Sequence, residues 1–158
     1  MSVHYQPVEC KSFLHRFNKK SLPFNWGANP YRGCEHSCPY CFARYTHEYL
    51  GYNSDTEFDN RILVKVNAAD VLDWELSRSR WRRKTVNLGS VCDPYQPAEK
   101  KFKVTRQVLE VFAKHKNPLF VGTKSNLILR DTDLLSVMAK RTTLIVYFTI
   151  TTLDDDIR

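Results

Sequence analysis

The chain reads as an α/β protein built on a parallel sheet. Three observations point there. From residue 61 onward, short β-branched runs alternate with amphipathic helical segments; the last of these runs is the most apolar; and polar residues gather just after the runs. Strand–helix–strand units pair their strands in parallel, and chemistry collects at the C-terminal strand ends.

Residues 1–28 are mixed and basic, with Lys19, Lys20 and a break at Pro23. They read as an irregular N-terminal segment ahead of a core domain over 29–158. After a cysteine-rich loop, Phe42–Leu50 reads as a short helix stopped by Gly51. Residues 61–66 (RILVKV) form the first expected core strand. Asn67 is placed to cap a helix over Ala68–Ser77, with Asp70 near the positive end of its dipole. Residues 85–91 (TVNLGSV) read as the second strand, and 104–114 as a helix with Val104, Val108, Val111 and Phe112 on one face. The third strand is 119–122 (LFVG). Asp131 is placed to cap a helix carrying Leu134, Leu135 and Met138.

The fourth run, 144–150 (LIVYFTI), has the composition of an inner strand buried on both faces. Only TTLDDDIR follows it. Asp154, Asp155 and Asp156 would suit a helix N-terminus, but one turn is all that remains. The expectation is a domain whose later strands are missing, or one completed by another chain.

A length of 158 residues suits one domain and needs no disulfide staples. With 42% apolar residues and only 5 Gly and 7 Pro, disordered and collagenous classes are excluded. No apolar run approaches the ~18 residues of a membrane span, and MSVHYQPVECKSF has no signal-length apolar stretch. The expected location is cytoplasmic. The net charge of +7 is compatible with a polyanionic partner. Arg78, Arg80, Arg82, Arg83 and Lys84 surround Trp81, while Lys100, Lys101, Lys103 and Arg106 form a second group. Such residues can hold phosphates and stack on bases, although a solvated rim accounts for them more simply.

The cysteines are more informative. Cys10 and Cys92 stand alone, but Cys34, Cys38 and Cys41 fall within eight residues, in NPYRGCEHSCPYCFAR. In a chain without a secretory signal this is a metal site rather than a disulfide framework. Gly33 and Pro39 help the loop turn. Three thiolates on a four-iron cluster leave one iron open to a small chelating molecule. The rival is zinc with Cys3His ligation through His36 or His47, in a zinc-stabilised nucleic-acid-binding module. His36 reads as a loop hydrogen-bonder more readily than as a ligand.

Cys34-x3-Cys38-x-Tyr40-Cys41, with an aromatic residue before the third cysteine, resembles the signature of the radical S-adenosylmethionine (SAM) enzymes. NPYRGCEHSCPYCFARYTHEYLG, DPYQPAEKKFKVTRQVLEVF, TKSNLILRDTDLL and TITTLDDDIR resemble, in order, blocks of the spore-photoproduct-lyase-like branch, over about Asn29 to Arg158. The resemblance implies a partial (β/α) barrel of the radical SAM type. About four parallel core strands with flanking helices would be present and the later strands missing, with the cluster loop after the first strand. It implies a 4Fe–4S cluster held by Cys34, Cys38 and Cys41. SAM would chelate the open iron and be cleaved reductively to methionine and a 5′-deoxyadenosyl radical. The substrate is not identified by the resemblance, although nucleic acid is one class it suggests. A reductant such as flavodoxin or ferredoxin would supply the electron.

Position by position, the resemblance places Tyr40 beside the adenine. The family's Gly-Gly-Glu contact to the SAM amino group is replaced here by Ser90-Val91-Cys92-Asp93, so Ser90 or Asp93 would serve it. Lys124 and Ser125 suit the SAM carboxylate, and Thr149 or Thr151 the ribose hydroxyls. Such lyases use a cysteine near the end of this strand as a hydrogen-atom donor, which makes Cys92 the candidate catalytic residue. A buried free cysteine is otherwise a small hydrophobe. The missing strands leave a third reading, a cluster-binding fragment without turnover.

Overall fold

In the computed structural model, residues 2–17 and 22–154 are described; Lys19, Lys20, Asp155 and Asp156 lie outside them. Four strands run in parallel: β3 (Trp26–Ala28), β6 (Val86–Leu88), β7 (Leu119–Thr123) and β8 (Leu144–Phe148). An antiparallel strand, β2 (Leu14–Arg16), closes the edge beyond β3. A second sheet holds β5 (Arg61–Lys65) between β1 (His4–Val8) and β4 (Tyr31–Arg32), parallel to the first and antiparallel to the second.

Register follows from alternation. Ala28, Leu88 and Val121 align across β3, β6 and β7, as do Val86, Leu119 and Leu144 across β6, β7 and β8. These rows are buried with the apolar faces of α1 (Ala68–Ser77), α3 (Val104–His115) and α4 (Thr132–Ala139). Val108, Leu109 and Phe112 of α3 are fully enclosed, and burying each such side chain contributes about 1.5–3 kcal/mol. The other face carries Gly27, Asn87, Phe120 and Ile145 in one row and Gly122 beside Tyr147 in another. It is thinly covered, by an edge-to-face chain of Phe17, Phe24 and Phe120.

Four expectations need correction. Residues 61–65 do form a strand, but it belongs to the side sheet, and β3 takes its place among the four parallel strands. A β-branched run specifies a strand without specifying its partner. The described part of 1–28 is not irregular, since it supplies β1, β2 and β3; Gly27 and the polar residues of β1 hid that pattern. The run at 144–150 is not buried on both faces: Ile145, Tyr147 and Phe148 are exposed, because among the described residues β8 has β7 as its one strand partner. Finally, neither Asn67 nor Asp131 caps its helix through its side chain. Asn67 instead bonds the backbone N and O of Cys10, at 2.9 and 3.1 Å.

The segment that follows β4 depends on Gly33, whose φ is +81°. A Cβ there would stand 2.8 Å from the carbonyl oxygens of Arg61 and Phe58. Gly33→Ala is expected to destabilise the fold by about 1–3 kcal/mol, from left-handed strain plus contact with two rigid carbonyls. The denaturation midpoint should fall at unchanged m-value; an unchanged midpoint would show that the turn can relax.

Candidate metal centre

The loop after β4 and the C-terminal ends of β6, β7 and β8 enclose one cavity, in which Cys34, Cys38 and Cys41 meet Ser90, Cys92 and Asp93. Lys124 and Thr149 complete its polar wall. The loop is built from successive tight turns: Cys34 N donates to Phe58 O at 3.0 Å, Ser37 N to Cys34 O at 3.3 Å and Cys41 N to Cys38 O at 3.1 Å. Two polar anchors hold it, half-buried Glu35 and buried Gln96. The Glu35 carboxylate accepts from Tyr5 Oη at 2.9 Å and from Ala98 N at 2.6 Å, tying it to β1 and to α2 (Ala98–Phe102). Gln96 bridges Glu35 N and Gly33 O, each at 3.1 Å.

All five cysteines are free thiols. Burial pushes the Cys34 thiol up to about 12. Cys38 Sγ accepts a hydrogen bond from Lys124 Nζ at 2.8 Å. Burial opposes the charge on Lys124, but the Cys38 and Tyr40 contacts outweigh it and raise its pKa. Among the described residues no three His, Cys, Asp or Glu side chains are gathered tightly enough to hold an ion. The three thiols therefore line a shared cavity without being gathered around a common point. The donor chemistry fits a sulfur-ligated cluster: three free thiols on one wall, with a cation against one of them.

Neither histidine offered for zinc lines the cavity. His47 is fully buried with Nε2 3.0 Å from Arg61 O. His36 Nε2 stands 3.4 Å from Asp93 Oδ2, at ion-pair distance.

Asp93 is a fastening point. Its oxygens accept from Tyr95 N at 2.8 Å, Thr123 Oγ1 at 2.6 Å and Lys124 N at 2.9 Å. Burial alone would raise its pKa, but His36, Thr123 and these backbone donors overcome that and lower it. The carboxylate thus locks the ends of β6 and β7 to the cysteine loop, and its lone pairs are largely committed within the protein. Ser90 Oγ stays on the cavity wall, 3.0 Å from Asn29 Nδ2. Cys92 is buried, its thiol held protonated by desolvation, with Sγ 3.8 Å from Asn29 Oδ1.

Other expected contacts lie outside the cavity. Ser125 Oγ accepts from Leu127 N at 3.2 Å and caps the 3-10 helix Asn126–Asp131. Tyr40 is 66% exposed, its hydroxyl 3.4 Å from Lys124 Nζ. Thr151 is exposed and lines nothing here. Trp81 packs edge-on against Trp26 and donates to Asn117 Oδ1 at 2.7 Å, and Arg106 is paired with Asp131 and Asp133, so neither is a free nucleic-acid contact.

Three contributors escaped the sequence reading. Asn29 gathers Ser90, Val91 N (2.9 Å) and Cys92. Tyr147 donates to Asn87 Oδ1 at 2.9 Å across the open face. Gly122 leaves the space that the Tyr147 ring fills, and a Cβ there would collide with it. Asn29 sits just before Pro30 in the quoted loop, and its position after a strand was the available signal.

The chain is similar to an uncharacterized protein of Mycobacterium tuberculosis, 44% identical over 140 residues that cover 88% of this chain and 41% of the relative. An uncharacterized protein of Methanocaldococcus jannaschii is 35% identical over 106 residues, covering 67% of this chain and 38% of the relative. One from Acidianus two-tailed virus is 28% identical over 121 residues, covering 74% and 40% respectively. The chain thus spans about two fifths of the length of these relatives. No protein-family model matches it, and no solved structure matches it significantly. Among the described residues no helix is long and apolar enough to cross a membrane.

Proposed function

We propose that this chain carries the cofactor-binding part of a radical SAM enzyme of the spore-photoproduct-lyase-like type. One observation carries the reading. The three motif cysteines open into the same cavity as Ser90, Cys92, Asp93, Lys124 and Thr149, which follow three parallel strands. That edge is where parallel α/β sheets hold cofactors. The four parallel strands, with helices on one face, would be the front of a partial (β/α) barrel whose first strand is β3.

Cys34, Cys38 and Cys41 would hold a 4Fe–4S cluster. When bound, this group supplies one electron to the SAM sulfonium, whose cleavage gives methionine and a 5′-deoxyadenosyl radical. The chain's own residues prepare the site. Lys124 sets a positive charge beside Cys38 and offers an ammonium to the SAM carboxylate. Asp93 acts through others, by fixing Thr123 and the Lys124 backbone. Ser90, oriented by Asn29, presents a hydroxyl to the SAM amino group, and Thr149 lies on the wall toward the ribose. Burial keeps Cys92 as S–H, the form a hydrogen-atom donor must have. Zinc is the weaker reading because neither His36 nor His47 lines the cavity that the three cysteines share.

Anaerobic incubation of the iron–sulfide-reconstituted chain with dithionite and SAM is expected to yield 5′-deoxyadenosine. Iron uptake without 5′-deoxyadenosine would identify a cluster-binding fragment without turnover. Uptake of one zinc with no iron would overturn the cluster.

A further inference from the structure

A second cavity adjoins the first and carries two cationic side chains that pair with no carboxylate among the described residues. Its volume of about 510 Å³ falls within the range of small-molecule sites. Arg32 at the end of β4, Lys65 at the end of β5 and His15 in the middle of β2 converge on it. Val91 lines both cavities, and Asn29 lines this one while its amide orients Ser90 and Cys92 of the other.

Among the described residues, neither Arg32 nor Lys65 forms an ion pair with a carboxylate, and no acidic side chain lines the cavity. Glu75, whose field reaches Lys65, has its carboxylate on Ser12 Oγ at 2.6 Å and Leu14 N at 2.9 Å. The Lys65 ammonium lies 5.5 Å from the centre of the Phe13 ring. Burial lowers the pKa of Lys65, and Arg32 adds to this, against the opposing pull of the Cys92 and Cys10 thiols and of Glu75. Burial with these two cations holds His15 down at about 4, so its imidazole is neutral at pH 7. Two half-buried cations without a carboxylate partner on one cavity wall attract an anion. At the rim stand Tyr45 and Tyr49, an exposed edge-to-face pair with ring centres 5.7 Å apart.

We propose that this cavity binds the phosphate of a phosphomonoester substrate through Arg32, Lys65 and His15, with a planar group of the substrate against Tyr45 and Tyr49. A phosphate dianion matches both cations, whereas a monocarboxylate would leave one unmatched. A forked guanidinium, an ammonium and a neutral imidazole also supply donors from three directions. The assignment of this ligand as substrate rests on the radical SAM reading of the adjoining cavity; its binding does not.

The test is calorimetric titration of iron-free full chain with phenyl phosphate, inorganic phosphate, acetate and phenol. Phenyl phosphate is expected to bind saturably and more tightly than inorganic phosphate, and phenol not at all. Arg32→Gln and Lys65→Met should each weaken phenyl phosphate at least tenfold while leaving the thermal midpoint equal or higher, since each removes like-charge repulsion. Tyr45→Ala should weaken phenyl phosphate and spare inorganic phosphate. Equal binding by wild type and both charge variants, or acetate binding as tight as phenyl phosphate, would overturn the proposal. Because iron plays no part in the measurement, failure of cluster loading would leave its outcome intact.

Discussion

The triple variant Cys34→Ala, Cys38→Ala, Cys41→Ala is expected to take up no iron or sulfide under conditions in which the wild-type chain gains about four of each. Cys92 is the thiol that remains on the cavity wall, and one thiol does not hold a four-iron cluster. Asp93 is spent on Tyr95, Thr123 and Lys124, and His36 and His47 are turned to Asp93 and to the β5 backbone. The loop itself should survive, because Glu35 and Gln96 anchor it through contacts that involve no sulfur. Circular dichroism of the apo variant should match wild type, which separates loss of ligands from loss of fold. Cys10→Ala is the control: its thiol lies outside the cavity, and iron content should not change. Full iron uptake by the triple variant, or its loss in Cys10→Ala alone, would remove the basis of the cluster assignment.

Elements with strong local signals were legible in the sequence. Ala68–Ser77 is found with the boundaries that its pattern and flanking Asn67 predict, and Gly51 ends Phe42–Leu50 in the left-handed conformation. The polar ends of 85–91 and 119–122 converge as expected for parallel strands. What the pattern could not carry was partnership. The run at 61–66 and the run at 85–91 look alike, yet one pairs with β1 and β4 and the other with β3 and β7. Short strands such as Trp26–Ala28 hold too few residues to show a period, and their pairing is set by non-local neighbours. Side-chain roles were least legible. Ser125 and Lys124 are adjacent, but one bonds forward to Leu127 N while the other reaches across 86 positions to Cys38. Asn67 and Asp131 stand where caps belong, and tertiary partners claim both.

Arg130→Met is expected to cost about 3–5 kcal/mol of stability, because it strands the buried Glu99 carboxylate and leaves buried Asp131 with Arg106 as its remaining guanidinium partner. Glu99 and Asp131 are both fully buried. The guanidinium meets Glu99 Oε1 at 2.6 Å, Asp131 Oδ2 at 2.8 Å and, through Nε, Asp131 Oδ1 at 2.9 Å. Glu99 also accepts from Tyr31 Oη and from Thr105 N at 2.8 Å, so the same carboxylate joins β4, α2 and α3. Arg106→Met should cost less, since Arg130 still neutralises Asp131 and the Asp133 partner is exposed. If uncompensated charge is the cause, Glu99→Gln placed in the Arg130→Met background should recover part of the loss, and the double-mutant cycle should be non-additive. Acid supplies a second check. Burial would raise the pKa of Asp131, but Arg130 and Arg106 outweigh it and lower it from 3.8. A depressed carboxyl contributes fully above its unfolded value and loses that contribution as pH falls through the folded one. The stability gap between wild type and Arg130→Met should therefore be widest near neutral pH and narrow progressively below about pH 4. A gap that stays constant down to about pH 2 would assign the loss to packing of the Arg130 stem instead.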